Sequence, residues 1–379
     1  QALPSDERSA DLHSLIASIL DRRGEWHRSL VHLRRAYELT PDAPQARLNL
    51  AMALLRLGNY REGLPLYEGR LDKPSWSGFA TLTSRAAHRD RLLRPNEPVE
   101  GRRILLLAEQ GLGDGIMCAR YIPLLAKRGA RIALACNPTL RPFCARMAGI
   151  ETLLSPPPDQ PLAEINLAAL PFDAWLPLLS LPHWFGADLS NVPADIPYWS
   201  AEAARVAEWR QKFDAAGRAG APKVGLIFQG NPGGAGFADK SMPAADLAPL
   251  LRADGIDLVN LQFGPAAREL AAIAPAMIDL SPADLPLDEY GAAIAATDLL
   301  ISVDTMAAHF SGALGHPAWV AVPHSPHWIY GLGDSFTPWY PHMRIFRQEK
   351  YRDWSGPIAT MAGELHARFG AAGDADHPG

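Results

Sequence analysis

The sequence predicts an α/β protein: two doubly wound lobes, each a parallel sheet covered by helices, preceded by an all-α array of helical hairpins. Three observations predict it. Residues 11–74 repeat with a period of 34 positions. From Ile104, and again from Val224, short apolar runs alternate with helix-length amphipathic segments, the pattern of parallel strands joined by crossover helices. The third is the stretch Asp298–Val322, DLLISVDTMAAHFSGALGHPAWVAV. Leu299–Val303 reads as a buried strand that stops at Asp304 and Thr305. Met306, Phe310 and Leu314, four apart, mark one helix face, Gly315 stands at the helix stop, and Ala318–Val322 is the next strand.

Composition bounds the function. The 379 residues carry 48% hydrophobic and 20% charged side chains, enough for a large core and two or three domains. Net charge is −5, with pI about 6.2, which argues against a nucleic-acid surface. The first 100 residues hold 15 basic and 13 acidic side chains, a net of +2; the remainder is at −7, and neither part has a polybasic tract. No apolar run approaches the roughly 20 residues of a membrane span. No signal peptide is visible, although Gln1 suggests a trimmed start. Cys118, Cys136 and Cys144 form no CxxC and lie among apolar neighbours, so a reducing, cytoplasmic compartment is expected.

In the first 74 residues Ala17, Leu20, Gly24, Trp26 and Leu33 recur as Ala51, Leu54, Gly58, Tyr60 and Tyr67. Ser29 recurs as Gly63, Ala36 is mismatched with Arg70, and Pro41 closes the first unit one residue out of step with Pro74. Small residues let two antiparallel helices approach, and the glycine makes the turn between them. The period and pattern resemble the tetratricopeptide repeat. Two repeats are fewer than such arrays need to stand alone, so they are expected to lean on the following domain or to continue upstream. Residues 75–101, irregular and basic with Trp76, Pro95 and Pro98, read as a connector.

The first lobe is expected over 102–200. Ile104–Ala108 is a strand, Gln110–Gly113 a Gly-rich turn, and Asp114 starts a helix bearing Ile116, Tyr121, Leu124 and Leu125. Strand Arg131–Ala135, helix Pro138–Met147 and strand Ile150–Leu154 follow. GLGDG lacks the last glycine of a dinucleotide fingerprint and the lysine of a P-loop. Asp114 is either a helix cap or a carboxylate facing a cleft. Residues 155–200, rich in Pro and Trp, are expected to form an exposed loop and short helix crossing between the lobes.

The second lobe is expected over 201–370. A helix at Ala201–Gly217 leads to strand Val224–Phe228 and the polar loop QGNPGGAGFADKSMP; Leu247–Leu251, Ala266–Ala274 and Leu287–Ala296 read as helical and Asp257–Gln262 as a strand. A strand that ends at Asp304–Thr305 and turns into a helix leaves backbone N–H groups at the sheet's carboxyl edge. That makes either a plain cap or an anion site. Asp114 and Asp304 are expected to face each other across a cleft between lobes.

The blocks AEQGLGD (108–114), ARYIPLL (119–125), LPLLSLPHWFG (176–186), GNP (230–232), KSMP (240–243), LQFGP (261–265), the Asp298–Val320 stretch and WYPHMRIFRQ followed by DWSG are together similar to bacterial proteins in which tetratricopeptide repeats precede a glycosyltransferase related to the heptosyltransferases of family nine. The resemblance covers about residues 11–370. It implies the GT-B fold, two Rossmann-like lobes, and sugar transfer without a metal cofactor. By the same resemblance Asp114 is the general base on the acceptor hydroxyl, beside Gln110, Gly111 and Gly113 on the acceptor side. Asp304 and Thr305 form the turn at the donor's diphosphate, with His309 one turn on as a hydrogen-bond partner beneath it. Lys240 neutralises the leaving group, Gln262 sits beside the ribose or base, and Gln229, Asn231 and Ser241 complete the donor side. The loop after GNP reads GGAGFAD where relatives often carry arginines, so Lys240 is left as its cation. Histidines 316, 324, 327 and 342 show no metal-ligand spacing and read as rim or surface groups.

Two functions follow. The first is a cytoplasmic transferase moving sugar from a nucleotide-sugar to an acceptor held by the repeats, plausibly a protein such as a flagellin or another surface component. The second is a glycosyltransferase-like scaffold that has lost turnover and acts through its repeats. Heptosyl transfer to lipopolysaccharide gives the repeats no task.

Overall fold

The computed structural model describes residues 9–73, 90–156, 170–234, 236–279, 285–333 and 335–370. Most of the connector expected at 75–101, and Pro74, lie outside them. The chain divides into two units, Gln1–Ala194 with His327–Gly333, and Asp195–Pro326 with Asp334–Gly379.

The first unit opens with four helices, α1 (Ala10–Arg22), α2 (Trp26–Leu39), α3 (Pro44–Arg56) and α4 (Tyr60–Tyr67), packed as the pairs α1–α2 and α3–α4 with α2 against α3. Gly24 and Gly58, both at positive φ, close the turns between partners, where a side chain would be strained. Ala17, Leu33, Leu50, Ala53 and Leu54 form the core of this bundle. A 3₁₀ turn, Glu68–Asp72, leads away from it. Beyond it lies a four-stranded parallel sheet in the order β3-β2-β1-β4, from β1 (Arg103–Leu107), β2 (Arg131–Ala135), β3 (Ile150–Leu154) and β4 (Ala174–Pro177).

Strand β4 corrects the expectation of an exposed crossing loop at 155–200. All four of its residues are buried, in register with β1, and Leu178–Pro182 behind it are buried too. Its apolar run is only four residues long and ends in proline, too short to stand out in the sequence. The helix expected from Asp114 is also different. It is split into α5 (Leu112–Ala119) and α6 (Ile122–Lys127), because Pro123 has no N–H to continue the ladder. Asp114 thus lies within the first turn of α5, not at its start. Only Arg141–Cys144 of the expected Pro138–Met147 helix is α-helical; this is α7. The three cysteines are buried free thiols.

The second unit holds a five-stranded parallel sheet, order β6-β5-β7-β8-β9: β5 (Lys223–Ile227), β6 (Asp257–Asn260), β7 (Leu299–Val303), β8 (Ala318–Val322) and β9 (Met343–Arg347). Every residue of β5, β7 and β8 is buried, as expected where helices cover both faces. Helices α8 (Leu181–Trp184, in the first unit), α9 (Ala203–Ala216), α10 (Phe237–Lys240), α11 (Ala248–Leu251), α12 (Pro265–Ile273), α13 (Leu287–Ala295), α14 (Met306–Leu314) and α15 (Ser355–Phe369) complete the set used below. The Asp298–Val322 stretch falls as its spacing demands: β7, α14, Gly315 in the left-handed conformation, then β8. At the amino edge of the sheet Lys223 is fully buried, its Nζ 2.8 Å from Asp257 and 3.2 Å from Asp214. Among the described residues no helix is long and apolar enough to cross a membrane.

Candidate active site

Each sheet has one strand-to-helix turn at its carboxyl edge with polar side chains gathered round it. In the first unit β1 ends at Leu107, and the chain passes through Glu109, Gln110 and Gly111 into α5. Gln110 takes a positive φ of 62°, a conformation costly for any residue with a Cβ. It is held by its amide and the Tyr67 hydroxyl, 3.1 Å apart. Gly111 then lets the Asp114 carboxylate fold back: Asp114 Oδ2 accepts from the Gly111 N–H at 3.1 Å, and a Cβ at Gly111 would meet that oxygen at 3.0 Å. Gly113 lies in the same first turn. The other oxygen, Oδ1, is 3.9 Å from Nε2 of His327.

Beneath this turn lies a buried ionic group that joins the helical pairs to the sheet. Arg70 donates to Glu109 at 2.7 Å, to Glu68 at 2.6 Å and to the Ser180 hydroxyl at 2.6 Å, and Ser180 donates to Glu68 at 2.7 Å. Burial opposes the charge on Arg70, but Glu109 and then Glu68 more than offset this and hold it firmly protonated. Burial drives Tyr67 and Cys118 above their ordinary values, so both stay neutral beside Asp114. The sequence held one signal for this group. Arg70 stands where the 34-residue repeat calls for a small residue, and a charge breaking a packing pattern has a task of its own.

His327 was read from sequence as a rim group. It reaches Asp114 because Trp328 beside it is buried and stands edge-on to Tyr60, ring centroids 5.4 Å apart. No spacing in the sequence connects residue 327 to residue 114.

In the second unit β7 ends in Asp304, and Thr305 is the N-cap of α14, yet its side chain makes no capping hydrogen bond. Its hydroxyl instead pairs with Ser302 Oγ at 3.0 Å. The helix start is therefore not closed by the Thr305 side chain. His309 lies one turn on, its Nδ1 3.1 Å from the Tyr340 hydroxyl and its Nε2 3.9 Å from Asp304. Gly312 lets Tyr340 approach: a Cβ there would come within 2.3 Å of the Tyr340 ring.

The neighbouring turn after β5 is built by side chains that bond to backbone. Gln262 Oε1 accepts from the N–H groups of Phe228 and Gln229, and its Nε2 donates to the carbonyls of Gln229 and Phe263. All four bonds hold the loop. Ser241 Oγ accepts from Gly230 N–H at 3.1 Å, and Asn231 Oδ1 from Gly233 N–H at 3.1 Å. Gln229 Nε2 is 3.5 Å from Glu269. Lys240 closes α10, and next to it Asp239 is held by Tyr351, at 2.7 Å, and by Arg352, at 2.9 Å. Arg352, absent from the expected site, is therefore an anchor for the loop that carries Lys240. The loop's own lack of arginine hid this cation, because it comes from beyond β9.

No protein-family model matches the chain. Among curated proteins it is similar to Protein FlbA of Caulobacter vibrioides, 26% identical over 421 aligned positions that span 96% of this chain and 68% of that protein. Among solved structures it is similar to a glycosyl transferase family 9 protein of Veillonella parvula, at 14% identity and a TM-score of 0.54, over 72% of this chain and 98% of that one. A weaker likeness is to ADP-heptose lps heptosyltransferase II of E. coli, at 16% identity and a TM-score of 0.48, over 71% and 99%. The two parallel sheets match a GT-B glycosyltransferase fold.

Proposed function

We propose that the protein is a glycosyltransferase that moves a sugar from a nucleotide-sugar to an acceptor hydroxyl. One observation carries the reading: on a fold of this kind, Asp114 stands at the carboxyl edge of one sheet while an N-terminus not closed by its own cap residue stands at the carboxyl edge of the other. In the proposed reaction the acceptor O–H loses its proton to Asp114, and its electron pair attacks the anomeric carbon. The bond from that carbon to phosphate oxygen breaks, and its electrons leave with the nucleotide. The N–H groups at the start of α14, with Lys240, stabilise the departing phosphate. Asp304, Thr305 and His309 shape that turn, and Gln229, Asn231, Ser241 and Gln262 hold the loop beside it. The reading asks for no metal ion; among the described residues no cluster of His, Cys, Asp and Glu has the arrangement to hold one. The helical pairs are proposed to be tetratricopeptide repeats that present a protein acceptor, in the cytoplasm.

The scaffold reading rests on a specific observation, the donor loop with Lys240 as its one basic residue between positions 229 and 243. Calorimetric titration with UDP, GDP, ADP and CMP, each beside a sugar conjugate, separates the two. Micromolar binding of one nucleotide, lost in Asp304→Ala or Lys240→Ala, supports the transferase. A folded protein that binds none of them sinks it and leaves the scaffold.

A further inference from the structure

We propose that His327 is the positioning residue for Asp114: imidazole and carboxylate form one proton-sharing pair at the turn after β1. The inference rests on the transferase reading for its purpose, though not for its test. Its ground is geometry within the first unit. His327 Nε2 stands 3.9 Å from Asp114 Oδ1, with both side chains about three-quarters buried. The ring is carried there by its neighbour Trp328, which is buried against Tyr60 at the first residue of α4. Asp114 is held through its other oxygen by the Gly111 N–H.

Charge points the same way. Tyr67 from α4 and Cys118 one turn along α5 face Asp114; Arg70 and Glu109 lie around both of them, and the buried Arg120 acts on Cys118. Tyr67 and Cys118 are neutral. Arg70 is already shared between Glu68 and Glu109, and the imidazole that faces Asp114 is favoured in its charged form by that carboxylate. In the proposed reaction the proton taken from the acceptor passes from Asp114 oxygen to His327 Nε2 through one bridging water, because 3.9 Å exceeds direct hydrogen-bond reach. Imidazole is the stronger base, so the carboxylate is regenerated while the nucleotide leaves.

The test is a titration of the full chain, labelled with ¹⁵N-histidine and ¹³C-aspartate, with the His327 signal assigned by its loss in His327→Gln. The expected result is that the His327 midpoint falls by about one pH unit in Asp114→Asn, as removal of an adjacent carboxylate requires, while His183 in the same unit is unmoved. The coupling is reciprocal, so the Asp114 carboxyl titrates higher in His327→Gln than in wild type. A side chain with only a packing role moves neither. Should His327 titrate at the same pH in wild type and Asp114→Asn, the pair does not exist. If Asp114→Asn fails to fold, the Asp114 signal in His327→Gln decides alone. Calorimetric titration of the same samples with UDP, GDP, ADP and CMP reports on the transferase reading separately. A coupled pair in a protein that binds none of them keeps this inference and removes that reading.

Discussion

The two strand-to-helix turns each set a carboxylate 3.9 Å from an imidazole, and they differ in what bonds to the helix start. After β1 a carboxylate bends back over its own helix start, accepts the Gly111 N–H and meets an imidazole. After β7 the hydroxyl of the N-cap residue, Thr305, turns sideways to Ser302 and does not cap α14. At the first turn a side chain from within the helix bonds back to its start; at the second the cap residue's own hydroxyl bonds elsewhere.

Several substitutions break or sharpen that contrast. The largest effect is expected from Asp114→Asn, which keeps the hydrogen bond shape and removes the base: transfer falls by about 10²- to 10⁴-fold with nucleotide affinity unchanged. Asp304→Asn should do the reverse, weakening nucleotide binding first, and single-turnover rates beside calorimetry distinguish the two. Below the first turn, Arg70→Ala leaves the buried Glu109 and the part-buried Glu68 without their cation and should cost about 3–5 kcal/mol in urea unfolding. Stability within the wild-type range would show that the ionic group does not tie the helices to the sheet.

The second unit contains a pH-dependent element away from its turn. Burial lowers His316 to about 4, with Thr297 Oγ1 3.0 Å from its Nε2. Its folded value lies below the unfolded one, so the unfolded chain binds the extra proton first. Stability is full above pH 6.5 and falls as pH drops toward 4, by up to about 3 kcal/mol. His316→Asn, which does not titrate, should flatten that dependence in denaturation curves at pH 7 and pH 5. Gly312→Ala forces the Tyr340 ring away from α14 and should cost about 1–3 kcal/mol while releasing His309. Thr305→Val, which loses the bond to Ser302, should cost no more than about 1 kcal/mol. A larger loss there would mean that the second turn is held as tightly as the first.

Much of this was legible because it follows from periodicity. The β7–α14–β8 unit could be read residue by residue, since fully buried strands and a four-residue helical spacing leave a plain record in the sequence. The 34-residue period located the turns of both helical pairs. Strand β4 was lost because four apolar residues ending in proline carry no period. The Asp114 turn was recognisable by its glycines, but its surroundings were not. Arg70, Ser180 and His327 meet it from 39 or more residues away along the chain, and only folding brings them together. Gln262 shows the opposite limit: its type and place suggested contact with a ligand, while its amide is committed to four backbone bonds.

The seven residues His327–Gly333 lie in sequence between strands of one unit and in space within the other. This sets an order of events on the ribosome. A nascent chain that has emerged only through residue 194 has both helical pairs and every strand of the first sheet, yet Tyr60 still lacks the Trp328 ring that covers it. The first unit reaches its final form only after synthesis has passed residue 333, when β5 to β8 of the second are already made. A chain arrested near residue 320 is therefore expected to leave the α4 region open to protease, and one arrested beyond 340 to close it.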